Sequence, residues 1–141
     1  MAEDTHRSVS IERVASNHYI ATNSRGGKLL LGDGDDSEFT PVELLLTAMA
    51  GCSAIDVDIL TTRRSEPDSF EVEASGDKIR DDEAGNRMEN LELVFRVTFP
   101  EGEAGDEARK ILPDAIAKSH NRLCTVTRTV ELKSSVKTRT E

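Results

Sequence analysis

The chain has 141 residues, 36% of them hydrophobic and 32% charged, with no tryptophan and a net charge of −9. Its length suits one domain, spanning residues 1–141 with an ordered core over about 8–132 and flexible tails. The acidic balance argues against nucleic acid and anionic membrane surfaces as partners; the absence of any run near roughly 18–20 apolar residues, and of an apolar signal-peptide core, points to the cytoplasm.

Val9 and Ile11 share one strand phase, and Tyr19 and Ala21 continue a second short run. Between Ala21 and Leu29, the segment Thr-Asn-Ser-Arg-Gly-Gly-Lys reads as a hairpin turn, since its glycines allow positive φ. Lys28 to Leu31 is a third strand, and Gly32 to Ser37 is an acidic loop.

Thr40-Pro41-Val42-Glu43 has the form of a helix start. The threonine hydroxyl can accept the amide three residues on, Glu43 can reach back to the amide of Thr40, and proline at the first helical position forfeits no bond. From Val42 to Leu60 the residues are apolar almost all round, which predicts a buried central helix, for which a second subunit is one candidate cover.

Phe70, Val72 and Ala74 alternate as a strand, Asp81 to Asn86 forms a turn, and Leu91, Leu93, Phe95, Val97 and Phe99 alternate without a break. A second helix is expected from about Asp106 to His120, kinked or divided at Pro113. A last strand is expected from Cys124, with Val126, Val130 and Leu132 on one phase and a polar tail beyond. The predicted order is βββ-α-ββ-α-β, an α+β fold with a largely antiparallel sheet.

The two cysteines, Cys52 and Cys124, are too far apart in sequence for a short metal-binding spacing. In a reducing compartment they are either inert buried thiols or a redox pair. Cys52 lies about three turns into its helix, beyond the reach of the helix dipole. Asp56, at i+4, would oppose ionisation if it faced the sulfur, so a thiolate at Cys52 calls for a cation from elsewhere. Arg128, on the inward phase of the Cys124 strand, is one candidate; His120, four residues before Cys124, could act as a base or complement a helix end. Three scattered histidines support no metal site, and no bound cofactor is expected.

The run Thr40-Pro41-Val42-Glu43-Leu44-Leu45-Leu46-Thr47-Ala48-Met49-Ala50-Gly51-Cys52 resembles the central-helix motif of the OsmC/Ohr family, in its OsmC-like branch. The segment Ser119-His120-Asn121-Arg122-Leu123-Cys124-Thr125-Val126 resembles that family's second-cysteine segment. The resemblance implies an intertwined homodimer and a thiol-dependent peroxidase acting on organic hydroperoxides or hydrogen peroxide. It implies that Cys52 is oxidised to a sulfenic acid, that Cys124 resolves it as a disulfide, and that an external lipoyl-type dithiol reduces the disulfide. Typical members carry a glutamate directly after the helix-starting proline; that position is Val42 here, and Glu43 follows one residue, or about 100° of helix, later. They also hold the thiolate with an arginine of the N-terminal hairpin, for which Arg25 is the nearest match. The competing readings are a non-catalytic dimer that binds a small apolar ligand or protein partner, and a redox sensor.

Overall fold

The structure is a computed structural model and describes residues 4–141. In chain order it contains β1 (Val9–Ala15), β2 (His18–Asn23), β3 (Lys28–Leu31), α1 (Pro41–Thr62), β4 (Ser69–Ile79), β5 (Arg87–Thr98), α2 (Glu103–Lys118), a π-helical turn (Ser119–Leu123) and α3 (Thr125–Leu132). The α+β class and the antiparallel pairing agree with the sequence. The last element does not, because the residues expected as a strand from Cys124 onward form a helix. The chain divides into two compact units, one ending at Leu45 and the other beginning at Leu46.

In the N-terminal unit, β1, β2 and β3 form an antiparallel sheet in sequence order. The β2–β3 turn is held by Asn23, whose side-chain oxygen accepts the backbone N–H of Gly27 at 2.8 Å and of Arg25 at 3.0 Å. Gly26 sits there at φ 86, a conformation that favours glycine. The register aligns Ile11 with Ala21 and Ala21 with Leu29, which places these apolar side chains on one face with Val9 and Tyr19. Val9 is 71% exposed and Ile11 58%.

The capping box at the start of α1 forms as its sequence requires. The Thr40 N–H donates to Glu43 Oε1 at 2.8 Å, and the Glu43 N–H donates to Thr40 Oγ1 at 3.2 Å.

In the C-terminal unit, β4 and β5 form a long antiparallel hairpin. The register sets Phe70 against Val97 and Val72 against Phe95, and the rings of Phe70 and Phe95 meet edge to face at 6.5 Å. Helix α1 buries only the stripe Met49, Ser53, Val57 and Thr61, spaced four residues apart. The expectation of a helix covered all round is therefore not met within one chain, where Ile55 is 63% exposed and Ile59 53%. The count of apolar runs also needs correction, since α1 is long and apolar enough by length and composition to cross a membrane. It nevertheless carries Asp56 and Asp58, each costly near a bilayer centre, on a helix whose polar Ser53 and Thr61 belong to the buried stripe.

Helix α2 begins earlier than expected and runs unbroken through Pro113. The missing N–H there forfeits one bond, toward the carbonyl of Arg109. Gly105 in its first turn admits no side chain, because a Cβ would lie 1.7 Å from the Pro100 carbonyl oxygen. The irregularity of this segment comes instead at its end, in the π-helical turn, where the Cys124 N–H reaches back five residues to the Ser119 carbonyl at 2.8 Å. The wide turn delivers Cys124 in an extended conformation, φ −73 and ψ 99, at the N-cap of α3. Val126 and Val130, read as strand positions, are also four apart, which is helical spacing.

Candidate functional site

Cys52 occupies the middle of α1 and is half-buried, whereas Cys124 is fully buried between the π-helical turn and α3. Both are free thiols. The Cys52 sulfur, the Cys124 sulfur and a carboxylate oxygen of Asp56 all lie within 4.8 Å of one another. Asp56 follows Cys52 by one helical turn, so both side chains leave α1 on the same face.

Burial pushes the Cys52 thiol pKa up. The backbone N–H of Val126, in the first turn of α3, pulls the other way; the adjoining Cys124 thiol raises it again, and the N–H of Thr125 adds a smaller lowering effect. The net direction is upward. The N–H groups at the start of α3 thus favour the Cys52 thiolate from outside its own helix, without outweighing burial and the Cys124 thiol.

Cys124 serves α3 as its N-cap, its sulfur accepting the Thr127 N–H at 3.4 Å and lying 3.3 Å from the Thr127 hydroxyl. Behind the thiols runs a short polar chain. Ser119 is fully buried and donates to Asp56 Oδ2 at 2.9 Å, and its oxygen lies 2.9 Å from the Ser53 hydroxyl. A hydroxyl has one proton, so with Ser119 committed to Asp56, Ser53 is the donor to Ser119.

A cavity of about 440 Å³ has both Ser53, next to Cys52 in sequence, and Thr127, the partner of Cys124, in its wall. Met49, Phe95, Ile116 and Val130 make much of the remaining surface apolar. The volume falls in the range of small-molecule pockets.

The other residues singled out by sequence lie as follows. Glu43 is committed to the capping box of α1. Arg25 is exposed in the β2–β3 turn of the N-terminal unit. Arg128 does not interrupt an apolar strand row; it belongs to α3 and lies 3.7 Å from Glu131. His120 Nε2 is 2.8 Å from the same glutamate, and both His120 and Glu131 border the cavity. The sequence assigns no role to Ser53, Ser119, Thr127 or the α3 amides, although Ser119 lies in the second-cysteine segment. A cysteine followed three residues later by a threonine is a weak cap signal, and the β-branched residues of α3 obscure it.

A model of the family described as OsmC-like protein matches residues 34–141. The chain is 34% identical over 128 residues to an uncharacterized protein of Mycobacterium tuberculosis, covering 89% of this chain and 90% of that one. Its fold is similar to an OsmC-like protein from Vibrio cholerae, with a TM-score of 0.76, 13% identity and coverage of 90% of this chain and 94% of the other. It is also similar to an organic hydroperoxide resistance protein from Legionella pneumophila, with a TM-score of 0.61, 13% identity and coverage of 92% and 91%. The chain belongs to the OsmC-like protein family.

Proposed function

We propose that this protein is a cytoplasmic, thiol-dependent peroxidase that reduces organic hydroperoxides or hydrogen peroxide through Cys52 and Cys124. The observation that carries this reading is the approach of the two sulfurs to within 4.8 Å of each other, one half-buried and one fully buried. The organic hydroperoxide resistance protein of Legionella pneumophila, a fold relative, adds support to peroxide as the oxidant class.

The Cys52 thiolate attacks the peroxide oxygen and the O–O bond breaks. The departing oxygen takes a proton and leaves as an alcohol, or as water from hydrogen peroxide. Cys52 is then a sulfenic acid. The Cys124 sulfur attacks it, the hydroxyl leaves as water, and a disulfide forms. An external lipoyl-type dithiol opens the disulfide by exchange and is itself oxidised. Forming the S–S bond at about 2.05 Å requires the sulfurs to approach further, a movement that the half-exposed Cys52 side chain can supply by rotamer change. The backbone donors of α3 favour the thiolate, and the apolar cavity wall suits the organic part of a hydroperoxide. By resemblance to the family, Arg25 is the candidate for the activating cation. Glu43 serves to cap α1.

The protein works as a homodimer on this reading. Ile55 and Ile59 on α1, and Val9 and Ile11 on β1, are apolar and more than half exposed in the single chain. A second copy of the chain is the natural cover for them.

The test is mass spectrometry of tryptic peptides after one equivalent of an organic hydroperoxide. A Cys52–Cys124 disulfide formed within seconds is expected, with a persistent or over-oxidised sulfenic acid in Cys124→Ser. Two unchanged thiols in the wild-type protein would refute peroxidase function. A reaction that stays slow while small apolar molecules raise the Tm would favour the non-catalytic, ligand-binding reading suggested by Val42 at the family's glutamate position.

A further inference from the structure

We propose that the reduced dithiol is also a binding site for a thiophilic divalent cation of the zinc type, held by Cys52, Cys124 and Asp56.

Two sulfurs and one carboxylate oxygen converge within 4.8 Å of one another. A tetrahedral ion with bonds of roughly 2.0–2.3 Å holds its ligand atoms roughly 3.3–3.8 Å apart, so the three need to close by at most about 1.5 Å. Cys52 and Asp56 are four residues apart on α1, a spacing that lets two side chains of one helix grip a single ion. Cys124 comes from a different element, the N-cap of α3, and supplies the third ligand atom. Three protein ligands leave the fourth tetrahedral position for water or a small molecule.

The groups around the cluster suit ligation as well. Ligating carboxylates are oriented by outer hydrogen bonds, and Asp56 has one from Ser119, which is fully buried and backed in turn by Ser53. Cys124 is fixed in the same way by Thr127. The charge pattern also favours an ion. Two thiolates and a carboxylate within 4.8 Å of one another would carry three negative charges, and a dication offsets two of them. Thiolate ligands select soft and borderline metals over magnesium or calcium.

Each thiol gives up its proton to solvent, and the two sulfurs and Asp56 donate electron pairs to the ion. Coordination and disulfide formation compete for the same two sulfurs. Oxidation of the bound dithiol by one hydroperoxide would consume two protons and yield the disulfide, one alcohol, one water and the free ion. The binding itself rests only on the three side chains; its coupling to oxidation rests on the peroxidase reading.

The experiment uses the reduced full-length protein, free of peroxide, titrated with Co2+ as a spectroscopic stand-in for zinc and then with Zn2+. A thiolate-to-cobalt charge-transfer band saturating at one ion per chain, and displaced by Zn2+, is expected. The band should be lost in Cys52→Ser and weakened in Asp56→Asn. Ser119→Ala should lower the affinity about 10–100-fold. His18, Asp36 and Glu38 form a second cluster of candidate ligand atoms, but it contains no sulfur, so the band reports on the dithiol alone. No band in the reduced wild-type protein, or a band that survives in Cys52→Ser, would overturn the proposal. A parallel sample without metal is exposed to hydroperoxide. Disulfide formation there without a cobalt band removes the metal site and leaves the peroxidase; a cobalt band without disulfide formation does the reverse.

Discussion

The backbone N–H of Thr127 donates to the sulfur of Cys124 at 3.4 Å, so one buried atom both caps α3 and faces Cys52. The start of α3 is therefore built on a residue of the dithiol. The Val126 and Thr125 amides of the same helix start also act to lower the Cys52 pKa, against a net upward direction. Any change at Cys124 acts on helix stability as well as on chemistry.

That double role separates two substitutions that are otherwise similar. Serine is a favoured N-cap and preserves the acceptor, whereas alanine removes it. Cys124→Ala should lose about 0.5–2 kcal/mol relative to Cys124→Ser, read from urea denaturation of the reduced proteins. Equal stability of the two variants would remove the capping role. Cys124→Ser is consequently the better probe of the resolving step.

The pH dependence follows from the direction of the Cys52 shift. Burial, with the Cys124 thiol beside it, outweighs the α3 amides and holds the Cys52 pKa above its ordinary value. Only the thiolate reacts, so alkylation of Cys52 by iodoacetamide should keep accelerating past the ordinary thiol midpoint of about 8.5. The folded state holds this proton more tightly than the unfolded chain. Its contribution to stability is full below the unfolded pKa and is lost as pH rises through the folded pKa. Peptide-resolved alkylation across pH, in native protein and in urea, measures both midpoints. A native midpoint at or below the unfolded one would contradict this order.

Ser119 joins Asp56 and Ser53 through one hydroxyl that has no exposure to solvent. Ser119→Ala leaves a carboxylate and a hydroxyl short of a partner, at a cost of about 1–3 kcal/mol. Asp56→Asn keeps an acceptor for Ser119 and should cost less. Chemical denaturation of both variants tests the ranking, and a Ser119→Ala protein as stable as wild type would show that water replaces the hydroxyl.

The fold was legible where one rule acted alone. The Thr40–Glu43 capping box and the unbroken alternation of β5 each carried a single local signal, and each appears where expected. The region after Lys118 obeyed several rules at once. Val126 and Val130 fit either a strand or a helix, the threonines leaned toward a strand, and nothing local marked the π-helical turn that reorients the chain at Ser119. The site was legible to the same extent. Cys52 and Cys124 were recognisable as a pair from their family-like frames, while their shared partners were hidden because Ser119 and Thr127 act through long-range or capping geometry. Arg128 looked inward only while its segment was read as a strand.

Oligomeric state offers the most direct check on the exposed face of α1. Ile55 is 63% exposed, so Ile55→Glu in an isolated chain should change stability by no more than about 0.5 kcal/mol. Beneath a second copy the same glutamate would bury an unpaired charge, which a marginal interface does not tolerate. Wild-type protein should scatter light as twice the 15.5 kDa chain, and Ile55→Glu should shift toward the single chain without loss of helix content by circular dichroism. Dilution should move the wild type the same way, at lower concentration. A wild-type mass of one chain at all concentrations would refute the homodimer and leave the apolar face of α1 to a different partner.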